Sequence, residues 1–138
     1  MVNKVLFSSK SDEWETPQDL FDKLNREFEF DLDVCATKEN TKCRNWYGEE
    51  LDGLKQNWQG HIVFCNPPYS QISDWVKKAS EEVNSDTKII MLIPARVDTQ
   101  WFHKYIYNKA EIRFIKGRLK FGDSKNSAPF PSMVVIFN

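Results

Sequence analysis

The sequence predicts one α/β domain, a mostly parallel sheet covered by helices on both faces, with an antiparallel C-terminal strand. Three observations predict it. "HIVFC" (61–65) and "KIIMLIP" (88–94) are apolar without a break, as strands buried on both faces are. Segments with apolar residues at helical spacing alternate with such strands, which implies crossover helices between parallel neighbours. "AEIRFIK" (110–116) and "SMVVIFN" (132–138) are joined by "GRLKFGDSKNSAPFP", which has no helical pattern, so a hairpin-like antiparallel end fits there. A chain of 138 residues suits one such domain.

The elements follow in order. Residues 1–13 are polar and read as a flexible arm, leaving 14–138 as the domain. "ETPQDLFDKLNREFEF" starts a helix: Thr16 can cap it, Pro17 suits the first helical position, and Asp19 favours the dipole's positive end. Leu20, Phe21, Leu24 and Phe28 share one face. "FDLDVCA" (30–36) reads as a short strand, and 37–60 as polar and irregular with room for one helical turn. "QISDWVKKASEEVN" (71–84) is amphipathic, with Ile72, Trp75, Val76, Ala79 and Val83 inward. "DTQWFHKYIYN" (98–108) reads as a helix capped by Asp98 or Thr99. Ligands of open α/β sheets bind at the carboxyl ends of strands. Three unusual loops fall at such ends, Asp33–Ala36, Asn66–Tyr69 and Pro94–Asp98, and together they predict a cleft.

Composition narrows the function classes. Net charge is −1, so a nucleic-acid partner would need a local basic patch. Two clusters offer one: Lys38, Lys42 and Arg44, and Arg113, Lys116, Arg118, Lys120 and Lys125. Each taken alone is an ordinary solvated face. Three cysteines without a C-x-x-C pair argue against both a zinc site and a disulfide framework, and no metal is implied. No long apolar run marks a leader or a membrane span, so a reducing, cytoplasmic protein is expected.

Chemistry concentrates in "NPPY". Two adjacent prolines can be no more than a stiff turn. Here they follow an apolar strand and precede an amphipathic helix, which is where a site belongs. An exocyclic amine on a base is a poor nucleophile because its lone pair is conjugated into the ring. The Asn66 side-chain oxygen and the Pro67 carbonyl can accept both of its N–H bonds. That draws the nitrogen toward tetrahedral geometry and frees the lone pair. Pro67 and Pro68 hold the acceptors still, which is preorganisation. Tyr69 offers a ring on which a base can stack.

The motif matches the [DNS]-PP-[YFW] signature of amino-methyltransferases that use S-adenosylmethionine. From about Trp14 to the C-terminus the chain resembles the phage-type DNA N6-adenine methyltransferase ("Dam-like") family. The matching pieces are "WETP", "DLDVCATKEN", "LDGL…W", "NPPYS", Trp75, "LIPARVDTQWF", "GRLKF" and "SMVVIF". The resemblance implies a single-domain, Rossmann-like methyltransferase fold and methyl transfer from S-adenosylmethionine to adenine N6 in DNA. It implies that Asn66, Pro67, Pro68 and Tyr69 hold the target amine and base. It implies cofactor contacts from Thr16, with Trp14 and Glu15 nearby, from Asp31 or Asp33 with Asp33 favoured, and from Asn40 or Glu39 toward the ribose. Asp52 would lie near the cofactor's adenine ring; the alternative is a surface Asp-Gly turn.

Arg96 and Asp98 would line the pocket or touch phosphate. Arg118 joins the DNA-binding surface. Phe121 would cover the other face of a flipped base, with Phe130 in reserve, although aromatics at such positions are more often core. The loop "DVCATKEN" lacks the glycines of the usual D-x-F-x-G-x-G cofactor turn. NPPY also serves RNA adenine and protein glutamine amides, and the missing glycines would suit a non-catalytic nucleic-acid-binding remnant. No separate recognition domain is expected within 138 residues, so short-site specificity or a homodimer supplying extra surface is expected.

Overall fold

A computed structural model describes residues 14–122 and 124–138. The expected arm, 1–13, lies outside the described residues. The elements are α1 (Gln18–Phe28), β1 (Leu32–Asp33), β2 (Asn45–Trp46), a 3-10 turn (Gly53–Lys55), β3 (Ile62–Cys65), a second 3-10 turn (Tyr69–Gln71), α2 (Ile72–Glu82), β4 (Lys88–Pro94), a π-helical turn (Phe102–Ile106), β5 (Glu111–Phe114) and β6 (Ser132–Phe137).

One six-stranded sheet runs in the order β2-β1-β3-β4-β6-β5. The first four strands are parallel; β6 runs against both β4 and β5. This is the mostly parallel sheet with an antiparallel C-terminal strand that the sequence predicts. β4 and β6 pair over six residues from Ile89↔Phe137 to Pro94↔Ser132, and nearly all of both strands is buried. Their unbroken apolar runs follow from that position, because both faces of the pair are covered.

The faces divide cleanly. Leu32, Val34, Val63, Cys65, Met91, Met133 and Val135 pack with Ile72, Trp75, Val76 and Ala79 of α2 and with Phe102 and Ile106 of the π-helical turn. Phe64, Ile90, Leu92, Val134 and Ile136 point the other way, onto Phe21 and Leu24 of α1. Among the described residues no helix is long and apolar enough to cross a membrane.

Three expectations about elements need correction. Thr16 does not cap α1; Pro17 occupies the cap position without a side-chain bond to the helix, and the Thr16 hydroxyl is used elsewhere. The segment 98–108 contains a π-helical turn, with Tyr107 N bonded to Phe102 O five residues back. Thr99 rather than Asp98 caps it, accepting from Phe102 N at 3.3 Å while donating to Arg96 O at 2.8 Å. The strand expected over 30–36 forms a ladder at Leu32–Asp33 alone, with β2 on one side and β3 on the other.

Gly53 shows how tightly this side is built. A Cβ there would lie 2.1 Å from the Val34 carbonyl oxygen and 3.0 Å from the Trp75 ring. Buried Trp58 donates its Nε1 to Gly53 O at 2.9 Å and holds the turn in that position. Because the clash is with backbone, it cannot be relieved by a rotamer. Gly53→Ala is therefore expected to lower the urea midpoint by the equivalent of about 2–3 kcal/mol. An unchanged midpoint would mean that the turn moves away at no cost.

Candidate active site

β1, β3 and β4 are parallel neighbours, so the three anticipated loops leave the same edge of the sheet. Asp33 pairs with Phe64 in register, and Asn66 follows two residues later. Both therefore sit on the α1 face of the sheet, since strand side chains alternate. The segment Trp14–Pro17 leads into α1 and bonds to Asn66.

Asn66 is held from two sides. Its Nδ2 donates to the Trp14 carbonyl and to Thr16 Oγ1, the latter at 3.0 Å. Those bonds use both amide hydrogens and assign the side-chain orientation. Oδ1 is left as the acceptor, with the Tyr69 hydroxyl donating to it at 3.3 Å. Pro68 is extended (φ −63°, ψ 128°) and delivers the chain into the Tyr69–Gln71 turn and then α2. Burial pushes the Tyr69 hydroxyl well above the usual tyrosine range, so it stays a proton donor.

Asp33 is 3% exposed. Its oxygens accept from Cys35 N at 3.3 Å and Lys42 N at 3.2 Å. Burial nevertheless dominates and raises its pKa from 3.8 to about 6, against those two donors and the Lys42 charge. The loop beyond it closes without glycine. Thr37 N donates to Asn40 Oδ1 at 2.6 Å, Asn40 N donates to Thr37 Oγ1 at 3.2 Å, and Thr41 N bonds to Thr37 O. Between residues 34 and 44 no residue has a left-handed φ, so no position there demands glycine. Asn40 is occupied by this turn.

The other candidates divide. Asp52 caps the 3-10 turn, accepting from Leu54 N at 3.1 Å, and lies 4.0 Å from Lys55 Nζ. It stands beside Gly53, hence next to the end of β1. Phe121 is buried and meets Trp14 edge-on at 5.4 Å; the ring nearly parallel to Tyr69 is Trp14. Phe130 stands edge-on to both. Arg96 and Arg118 are exposed, as are Lys38, Arg44, Lys116, Lys120 and Lys125. Lys42 and Arg113 leave the basic clusters. Lys42 Nζ is bound to Gln18 at 3.0 Å and lies 3.7 Å from Glu15, while Arg113 makes paired 2.7 Å bonds to Glu27 and a 2.8 Å bond to Glu111.

Sequence reading missed the reach of Trp14–Pro17. Besides the bonds to Asn66, Glu15 O accepts from Gly122 N at 2.8 Å, which ties in the β5–β6 loop. It also missed Ser132, buried opposite Pro94, whose hydroxyl has no partner among the described residues. The one available signal was a polar residue opening the apolar run "SMVVIF".

Comparisons with known proteins agree on one family. A model of the DNA N-6-adenine-methyltransferase (Dam) family matches residues 4–138. The chain is 34% identical over 138 aligned positions to the DNA N-6-adenine-methyltransferase of Haemophilus phage HP1, covering 94% of this chain and 80% of that protein. It is 38% identical over 110 positions to the protein of the same name from Escherichia phage T1, covering 78% of this chain and 46% of the relative. The chain thus spans less than half the length of the T1 relative.

Asp33 makes a pH signature. Its folded pKa lies above 3.8, so folding favours the protonated acid. The stability it contributes is full below about pH 4, is lost as pH rises through about 6, and is constant beyond. Urea titrations at a series of pH values should show the parent losing on the order of 2–3 kcal/mol relative to Asp33→Asn across that window. A flat difference would mean that the carboxylate stays ionised in the folded chain.

Proposed function

Because this chain belongs to the DNA N-6-adenine-methyltransferase (Dam) family, we propose that it transfers a methyl group from S-adenosylmethionine to the exocyclic N6 amine of adenine in DNA. One observation carries the chemistry: Asn66 has both amide hydrogens bound by Trp14 and Thr16, so its oxygen is committed to accepting. A freely rotating amide would present its nitrogen half the time. Fixed as it is, Oδ1 takes one N–H of the target amine, and the Pro67 carbonyl, held between two prolines, takes the other. The nitrogen lone pair then turns out of the ring plane toward the methyl donor. These acceptors are set before the reaction, so little reorganisation opposes it. No residue need act as general base, since the proton can leave after transfer.

The residues fit the methyl donor. When bound, S-adenosylmethionine supplies an electrophilic methyl whose bond to sulfur breaks as the bond to nitrogen forms. Asp33 would hold its ammonium group: a buried carboxylate gains from any cation brought beside it, and each oxygen keeps a lone pair beyond its backbone bond. The Thr16 hydroxyl accepts from Asn66 and retains its own hydrogen for the methionyl carboxylate. Asp52 adds a second carboxylate near the end of β1 on the adenine side. The Thr37–Asn40 turn supports this reading by doing the work of the missing glycines.

The substrate base must leave its stack to reach this edge, at a cost of a few kcal/mol. Exposed Arg96, Arg118, Lys116, Lys120 and Lys125, with Lys38 and Arg44, are cations available to phosphate. A second copy would add DNA-reading surface, and a host cell's cytoplasm is the expected place of action.

Labelled S-adenosylmethionine incubated with unmethylated DNA, RNA or protein extract tests the proposal. Label should enter adenine of DNA. Asn66→Ala is expected to lose about a hundredfold or more in kcat. Label on RNA or protein alone would overturn the DNA reading, and none on any substrate would overturn the enzyme. Thr16→Val should lower kcat about tenfold, because a freed Asn66 amide can turn away. An active Thr16→Val would show that the Trp14 carbonyl suffices to hold it.

A further inference from the structure

We infer that Trp14, through its indole ring, forms the second wall of the base-binding slot, opposite Tyr69. This rests on the proposed entry of an adenine at Asn66. The two rings are nearly parallel, 17° apart, with centroids separated by 6.4 Å. A stacking contact is about 3.5 Å, so a flat base between two rings occupies about 7 Å. The 6.4 Å between centroids is the most the present gap can be, so the rings must part to admit a base.

Asn66 touches both wall residues. It binds the Trp14 carbonyl through Nδ2 and the Tyr69 hydroxyl through Oδ1. A base entered between the rings brings its amine beside Asn66, whose Oδ1 is the acceptor there. Phe130 closes one side, perpendicular to both walls (87° to Trp14 at 5.1 Å, 73° to Tyr69 at 5.4 Å). Phe121 buttresses Trp14 edge-on, at 5.4 Å between centroids. A cleft of about 460 Å³ borders Trp14, lined by Glu15, Gly122, Ser124 and Asn126, which leaves the ring room to shift when a base enters.

Tyr69, at 7% exposure, is otherwise core-like. Its ring becomes useful to a substrate only if the opposing ring moves with the base. Trp14 is suited to this role because its backbone, not its side chain, anchors Asn66. Stacking is tolerant of base identity, so the slot selects a flat ring, while Oδ1 selects an amine.

The test compares binding of oligodeoxyadenylate with an abasic strand of equal length, by fluorescence anisotropy, for the parent, Trp14→Phe and Trp14→Leu. Melting temperatures are read in parallel. The parent should prefer the adenine strand. Trp14→Phe, which keeps a flat ring, should retain most of that preference. Trp14→Leu, which keeps apolar volume alone, should lose about fivefold or more. If Trp14→Leu melts far below the parent, Trp14→Met refills the space flexibly and takes its place. A well-folded Leu or Met variant that keeps the parent's preference overturns the slot, as does a parent with no preference. A parent that shows the pattern yet transfers no methyl group overturns the transfer reading and leaves the slot standing.

Discussion

The bonds from the Asn66 amide to Trp14 and Thr16 are the constraint on which the carboxyl edge depends. They join residues about fifty positions apart and bring the entry of α1 onto the end of β3. The same short segment holds two more loops. Glu15 O accepts from Gly122 N, and the Glu15 side chain lies near Lys42, whose backbone N–H in turn binds Asp33. The loops after β1 and β3 and the loop between β5 and β6 are thus tied to one short run of chain. An acceptor aimed at a substrate is only as precise as what holds it. Here the holding groups are a backbone carbonyl and a buried hydroxyl, both with little freedom to move.

The sheet supplies the rigidity behind this. β4 and β6 are paired for six residues and covered on both faces, so the central strands cannot slip in register without exposing apolar side chains. Burial also has a cost at the site. Asp33 sits where its charge is disfavoured, and the Ser132 hydroxyl is buried with no partner among the described residues. Natural sequences keep such local conflicts mainly at functional or strained sites.

Much of this was legible in the chain. Unbroken apolar runs gave β3 and β4, and helical spacing gave α1 and α2, because the signals that fix these elements are local and periodic. The glycine-free loop after Asp33 was readable in principle too: Thr37 and Asn40, three residues apart, can cap each other. The two-residue β2 was not, since it has no apolar pattern and exists only because β1 offers an edge. Nor was the π-helical turn after Thr99, whose bond to a residue five back shows no distinct sequence period.

At the site, the sequence by itself determined which groups can accept hydrogen bonds from an amine. Asn66 and two prolines after a buried strand supply such acceptors. Tertiary structure alone decided which way the Asn66 amide points, which ring faces Tyr69, and which cations are free. Thr16 is a helix cap by local rules and an anchor for Asn66 in the fold. Phe121 and Trp14 are equally aromatic in the sequence, yet only Trp14 lies nearly parallel to Tyr69. Arg113 belongs to a basic run but is taken by Glu27, eighty-six residues away. Residue chemistry and periodicity are written along the chain, whereas orientation and pairing arise from contacts between distant segments, which exist only once the chain has folded.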